Sequence, residues 1–323
     1  MAFVNQGRQV NTTGVSYFSA FPLGTINGFY MGGTAHNDTH CGGCGSGKNW
    51  YFCDIKSVPF STGNASIVGY LTGGSRVHGV GVSSDTHGYL CGGGGTSSNE
   101  IIRFQFTNPS ANTSDVGDIA AGLTYVCSGA ASGTDGYITN EGNIYKFPFA
   151  SATTPAPDVG NLANRRGSTG SYSSTHGYQA GVSAPATNTI DRFLFANEST
   201  TDDVGDLART DMNACCGASS ADNGYCFGRG QILKYSFSSS SSGPDVGDLP
   251  FNVTEAGNGI SSSTHGYTVG GGVHETRIHK FSFDNESSQA QVGYIGGSSE
   301  SCTSSNDSYS GNWNRYAGST CQY

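Results

Sequence analysis

Three observations predict an all-β fold built as a single β-propeller. A three-part signature recurs six times, each copy alternates apolar with polar residues, and helical periodicity is nearly absent. Residues 173–207, SSTHGYQAGVSAPATNTIDRFLFANESTTDDVGDL, hold the signature in full. A T-H-G-Y-x-x-G block leads to an I-x-R-F-x-F block and then to a D-V-G-D-L block. The closing Phe of the aromatic block falls at Phe60, Phe106, Phe149, Phe195, Phe237 and Phe283, in steps of 46, 43, 46, 42 and 46. Val68, Val116, Val159, Val204, Val246 and Val292 of the V-G pairs keep the same beat. A period of this length with about four short strands per unit is that of a propeller blade.

The elements follow in order. Residues 1–12 precede the first unit. Six units span 13–295. Their G-Y blocks are β-rich and end in glycine, as a strand entering a tight turn does. The aromatic blocks alternate with period two, which predicts strands with one buried face. His87, His176 and His265 precede the glycine in units two, four and six, while Asp135 and Asn223 do so in three and five. This alternation suggests an ancestral two-blade duplication. Residues 296–323 hold a degenerate copy, in which 308–311 stand for the G-Y block and 313–316 for the aromatic block. With a strand from residues 3–10, they predict a seventh blade that closes the ring and removes its sheet edges. Seven blades are expected, with six plus tails as the alternative.

Composition agrees. Glycine supplies 50 of 323 residues, about twice the usual ~7%, and charged residues only 12% against ~25%. A net charge of −9 without a basic cluster argues against nucleic acid as a partner. No apolar run approaches the roughly 18 residues of a membrane span, so no membrane insertion is expected. The opening MAFVNQGRQV has neither the charged nor the apolar region of a classical signal peptide. The ten cysteines allow disulfides, but their pairing is not deducible from spacing.

The S-S-T-H-G-Y-x-x-G-G … I-x-[KR]-[FY]-x-F … D-V-G-D-L pattern resembles the kelch-like repeat proteins of tailed bacteriophages, especially marine cyanophages. The resemblance covers about residues 13–295. It implies a virion structural or tail-fibre component and transfers no catalytic residue. Unit one departs from the pattern by its insertion and unit seven by truncation.

Each candidate constellation has a chemical and a structural reading. His87, His176 and His265 could be a ring of metal ligands or catalytic bases, or turn residues whose rings bond nearby backbone. Asp115/Asp118, Asp203/Asp206, Asp245/Asp248 and Asp158 could bind Ca²⁺, but one pair per blade supplies too few of its six to eight oxygens. Asp beside glycine is also common turn chemistry. The insertion, TAHNDTHCGGCGSGKN at 34–49, is the least repetitive stretch. Its Cys41-x-x-Cys44 with His36, Asp38 and His40 invites zinc; a disulfide-stapled or free-thiol loop is the other reading. Glycine-rich loops on a rigid scaffold are where binding concentrates, so His36, Asp38, His40, Lys48 and Trp50 form the candidate binding loop. Cys127, Cys215 and Cys216 read as buried strand thiols. A Cys302–Cys321 bridge would lock the closure. Eight N-x-[ST] sequons occur; Asn64, Asn112, Asn197 and Asn285 share one loop and are candidate glycosylation sites if the protein is secreted.

No nucleophile–base pair, phosphate loop or secure cofactor or metal site stands out. The sequence therefore predicts a non-enzymatic, virion-located or extracellular protein that contacts other virion proteins or host-surface glycans. It could oligomerise through such an assembly. The alternatives are a secreted, disulfide-containing lectin-like or adhesion module and, third, a glycan-active enzyme needing two convergent carboxylates.

Overall fold

The computed structural model describes residues 27–32, 34–36, 49–51, 53–73, 79–93, 99–111, 113–123, 127–151, 155–163, 169–183, 186–212, 216–239, 243–249, 258–269, 277–286, 290–294 and 319–322. All regular structure among them is β. The strands are β1 (Asn27–Met31), β2 (Thr34–His36), β3 (Asn49–Tyr51), β4 (Asp54–Pro59) and β5 (Ser66–Tyr70), then β6 (Val80–Ser83), β7 (His87–Cys91), β8 (Glu100–Gln105) and β9 (Ser114–Asp118). Next come β10 (Cys127–Ala131), β11 (Asp135–Asn140), β12 (Asn143–Pro148) and β13 (Asp158–Asn161), followed by β14 (Thr169–Tyr172), β15 (His176–Ser183), β16 (Ala186–Leu194) and β17 (Thr200–Asp206). The last are β18 (Cys216–Ser219), β19 (Asn223–Gly228), β20 (Gln231–Ser236), β21 (Asp245–Asp248), β22 (Asn258–Ser261), β23 (His265–Val269), β24 (Arg277–Ser282), β25 (Ala290–Tyr294) and β26 (Ser319–Gln322).

They form six four-stranded antiparallel sheets, in the orders β26-β1-β4-β5, β6-β7-β8-β9, β10-β11-β12-β13, β14-β15-β16-β17, β18-β19-β20-β21 and β22-β23-β24-β25. These are blades 1 to 6 of a closed propeller. The first-named strand of each is innermost, and each inner strand lies beside the next, with β22 beside β26.

Seven blades were expected and six are present. The aromatic repeat shows why no seventh fits. The aromatic of each G-Y block stacks on the closing Phe of the next blade. Phe29–Phe106 lies at 5.1 Å, Tyr89–Phe149 at 5.0 Å, Tyr137–Phe195 at 4.9 Å, Tyr178–Phe237 at 4.7 Å and Tyr225–Phe283 at 4.8 Å. The sixth contact, Tyr267–Phe60 at 4.7 Å, joins blade 6 directly to blade 1. Ala65 N also donates to Tyr294 O across this junction at 3.1 Å. The C-terminal residues read as a separate blade instead supply the inner strand of blade 1. There β26 pairs with β1 in the register Gly28↔Gln322 to Met31↔Ser319. The proposed closing strand at 3–10 and the copy at 308–316 lie outside the described residues.

The aromatic strands also bury both faces rather than one. The leading isoleucines Ile55, Ile101, Ile144, Ile190, Ile232 and Ile278 are fully buried. So are the residues after them: Lys56, Ile102, Tyr145, Asp191, Leu233 and His279. A blade is sandwiched between neighbours, so period two here separates two inter-blade cores rather than core from solvent. The D-V-G-D segments are outer strands, not turns, and each blade has a register break opposite them. In blade 2, Ile101 faces Gly117 and Ile102 faces Asp115, leaving Val116 as the bulged residue.

Candidate functional site

The three histidines sit in equivalent turns between inner and second strands. The hydroxyls of Ser84, Ser173 and Ser262 accept the backbone N–H of His87, His176 and His265 at 3.1, 3.0 and 3.0 Å. Each ring Nδ1 meets the hydroxyl of the preceding threonine at 2.7, 2.8 and 2.7 Å for Thr86, Thr175 and Thr264. The turn reading is therefore right in outcome but different in detail: the ring bonds a hydroxyl, and serine holds the backbone. No third group converges on these rings as a metal would require; among the described residues, no three His, Cys, Asp or Glu side chains cluster.

Partial burial holds each imidazole below the ordinary histidine value of 6.5, and Arg103, Arg192 and Lys280 push in the same direction. Below pH 6.5 the unfolded chain thus takes up protons that the folded chain resists. Stability is present above that pH and declines as acid is added. The melting temperature is expected to fall as the pH drops below 6.5. The triple variant His87→Asn/His176→Asn/His265→Asn, which copies Asn223 of blade 5, should fall less over that range. Parallel curves would assign the acid sensitivity to other groups.

Alternation by two blades extends to ion pairs. Lys146 of blade 3 reaches Glu198 of blade 4 at 2.7 Å, and Lys234 of blade 5 pairs with Glu286 of blade 6. At the blade 1–2 junction the equivalent places hold Ser57 and Pro109. The histidines recur in every second blade and the ion pair at two of the three equivalent junctions, a pattern in keeping with a two-blade ancestral unit.

The carboxylates act on their own backbone. Asp115, Asp158 and Asp245 each accept the N–H of the glycine two residues on, at 3.2, 3.2 and 3.1 Å. This fixes the bulge. Asp203 departs from the pattern: its φ is 53°, and its N–H donates to Asp191 Oδ1 at 2.7 Å.

The insertion starts and ends as a hairpin, with Ala35 opposite Trp50 and His36 opposite Asn49. Asp38, His40, Cys41, Cys44 and Lys48 lie outside the described residues, so only the base of the candidate loop is placed. Just beyond it, Cys53 is buried and disulfide-bonded. Cys91 is buried, and Cys216 and Cys226 are buried free thiols. Burial pushes the Cys226 thiol up to about 12 and raises Cys216 further, so both are unreactive at neutral pH. The buried-thiol reading holds for Cys216; Cys215 and Cys302 lie outside the described residues. Cys127 and Cys321 occupy inner strands.

Of the shared-loop sequons, Asn64, Asn197 and Asn285 are exposed, and Asn112 lies outside the described residues. Asn197 Oδ1 accepts Ser199 N–H at 3.1 Å, which closes the turn locally.

Two clusters had no signature in the sequence. Asp54 and Lys56 form a buried ion pair at 3.4 Å in β4. Burial raises the Asp54 carboxyl, against the opposing pull of Lys56. Arg209 clasps Asp211 through two nitrogens at 2.7 and 2.6 Å and reaches Gln231 Oε1 at 2.8 Å. Arg229 Nε donates to Asp211 O at 3.2 Å. This cluster ties the connection after blade 4 to blade 5. Both clusters assemble from residues that differ between repeats, so no period marks them.

No protein-family model matches the chain, and a search of curated proteins finds no match.

Proposed function

We propose that this chain is a non-enzymatic scaffold: a virion structural propeller of tail-fibre or capsid-decorating type. Its partners would be other virion proteins or host-surface glycans. The reading is supported by the way the repeat is used. Its aromatics, bulge carboxylates and turn histidines are engaged in packing or in their own backbone, leaving recognition to the non-repeating segments. The observation that carries it is the blade 1 hairpin β2–β3, which frames an insertion holding His36, Asp38, His40, Lys48 and Trp50. The viral setting rests on the resemblance of the repeats to phage proteins.

The test is binding of labelled chain to intact bacterial cells of candidate hosts, with unrelated cells as control. Selective binding that persists in salt and is lost when residues 34–49 are replaced by a two-residue turn supports an adhesin. Binding unaffected by that replacement rejects the loop as the contact. Absence of binding to any cell assigns the contacts to other virion proteins.

The disulfide at Cys53 favours a second reading, a secreted lectin-like module. Glycans found by mass spectrometry at Asn64, Asn197 or Asn285 of the native protein would select it.

A further inference from the structure

Outer strands are where a propeller is open to edge or side contact, and charge is a common guard there. The register aligns the six outer strands residue by residue. Opposite the residue after the leading isoleucine stand Ile67, Asp115, Asp158, Asp245 and Gln291 in blades 1, 2, 3, 5 and 6. Two places before that residue, the partners are Tyr70 in blade 1, Asp118, Asn161 and Asp248 in blades 2, 3 and 5, and Tyr294 in blade 6. Blade 4 places Asp206 one pairing before its isoleucine. Blades 2 to 5 thus carry acid on the rim. The outer strands of blades 1 and 6, SIVGY and AQVGY, contain no charged residue.

The same two blades hold the large apolar side chains most exposed among the described residues: Tyr70 at 59%, Ile67 at 45% and Tyr294 at 38%. The blades are neighbours. The bond from Ala65 N to Tyr294 O sets residue 294 beside the start of β5. Because of the bulge, Ile67 and Tyr70 share one face of β5, opposite Lys56 and Asp54.

We propose that this uncharged rim is a self-association surface, joining two copies of the chain about a two-fold axis. A two-fold at the Val68–Gly69 region sets the exposed faces of the two β5 strands against each other. Their edges do not pair, because Thr113 of blade 2 already holds that edge, donating Oγ1–H to Tyr70 O at 3.4 Å and accepting Thr72 N–H at 2.6 Å. Ile67 of each copy then packs on Tyr70 of the other, a contact made twice. A homotypic contact also explains the location. In a chain of net charge −9, the acidic rims of blades 2 to 5 repel their own kind, and the junction of blades 6 and 1 does not. The proposal does not depend on the virion reading. Three large side chains per copy make a small interface, so a micromolar dimer is expected.

Sedimentation velocity on the full chain, across low to high micromolar concentrations, tests this. The wild type should move from 33.4 kDa toward twice that mass as concentration rises. Ile67→Asp/Tyr70→Asp should remain monomeric with an unchanged melting temperature, because blade 5 carries Asp245 and Asp248 at these places. Should that variant fail to fold, Ile67→Gln/Tyr70→Asn, copying Gln291 and Asn161, should weaken dimerisation at least tenfold. A wild type monomeric throughout, or variants that dimerise as the wild type does, would overturn the proposal.

Discussion

Gly259→Ala is expected to cost about 3 kcal/mol or more, and Gly259→Val to prevent folding. The reason lies in the inner ring. Five inner strands carry a glycine, second in β6, β14, β18 and β22 and third in β10: Gly81, Gly170, Gly217, Gly259 and Gly129. A Cβ on Gly129 would sit 2.8 Å from Gly81 O, and one on Gly170 would sit 2.7 Å from Gly129 O. The approach is closer still from Gly217 to Gly170 O and from Gly259 to Gly217 O. Here the obstacle is a neighbouring carbonyl, not a side chain that can rotate. Relief therefore requires two strands to separate, which disturbs the inter-blade cores on both sides. Urea midpoints of the purified variants measure the effect. Gly133→Ala is the control, since a Cβ there meets nothing within 4 Å. It should change stability by no more than about 0.5 kcal/mol. Equal midpoints for Gly259→Ala and wild type would show that the inner strands have slack.

How much of this was legible in the sequence follows from where side chains repeat. The second, third and outer strands carry the G-Y, aromatic and V-G blocks, because their residues meet an equivalent neighbour in every blade. Tyr137, for instance, stacks on Phe195 and donates its hydroxyl to Phe195 O at 3.2 Å. The inner strands meet one another backbone to backbone, so beyond one glycine their sequences are free to differ: VGVS, TGSY, CGAS and NGIS. Without an inner-strand signature, the residues left over at both ends add up to a whole blade in the sequence, although only four of them complete blade 1. The candidate site shows the same limit. His176 repeats and was found. Arg209, Asp211 and Cys53 do not repeat, and only the folded chain brings them to their partners.

Ending the chain after residue 318 is the sharpest test of closure. The deletion removes β26 and leaves β1 as an inner edge, exposing Phe29, Tyr30 and Met31, which are at most 2% accessible in the intact ring. A loss on the order of 5 kcal/mol is expected, comparable to the whole stability of many domains. It should be accompanied by aggregation through the opened edge. The cost reaches beyond four residues because β26 also touches β6 and β22, so its absence breaks the inner ring between blades 6 and 2. In an open repeat array, loss of an end unit affects its neighbour alone. In a closed ring every blade is interior, and opening one joint removes the constraint on all. A peptide spanning residues 315–323 added in trans should restore a single cooperative transition by strand addition. A truncated chain melting at the wild-type midpoint would mean that blade 1 holds its place through the Tyr267–Phe60 and Ala65–Tyr294 contacts alone.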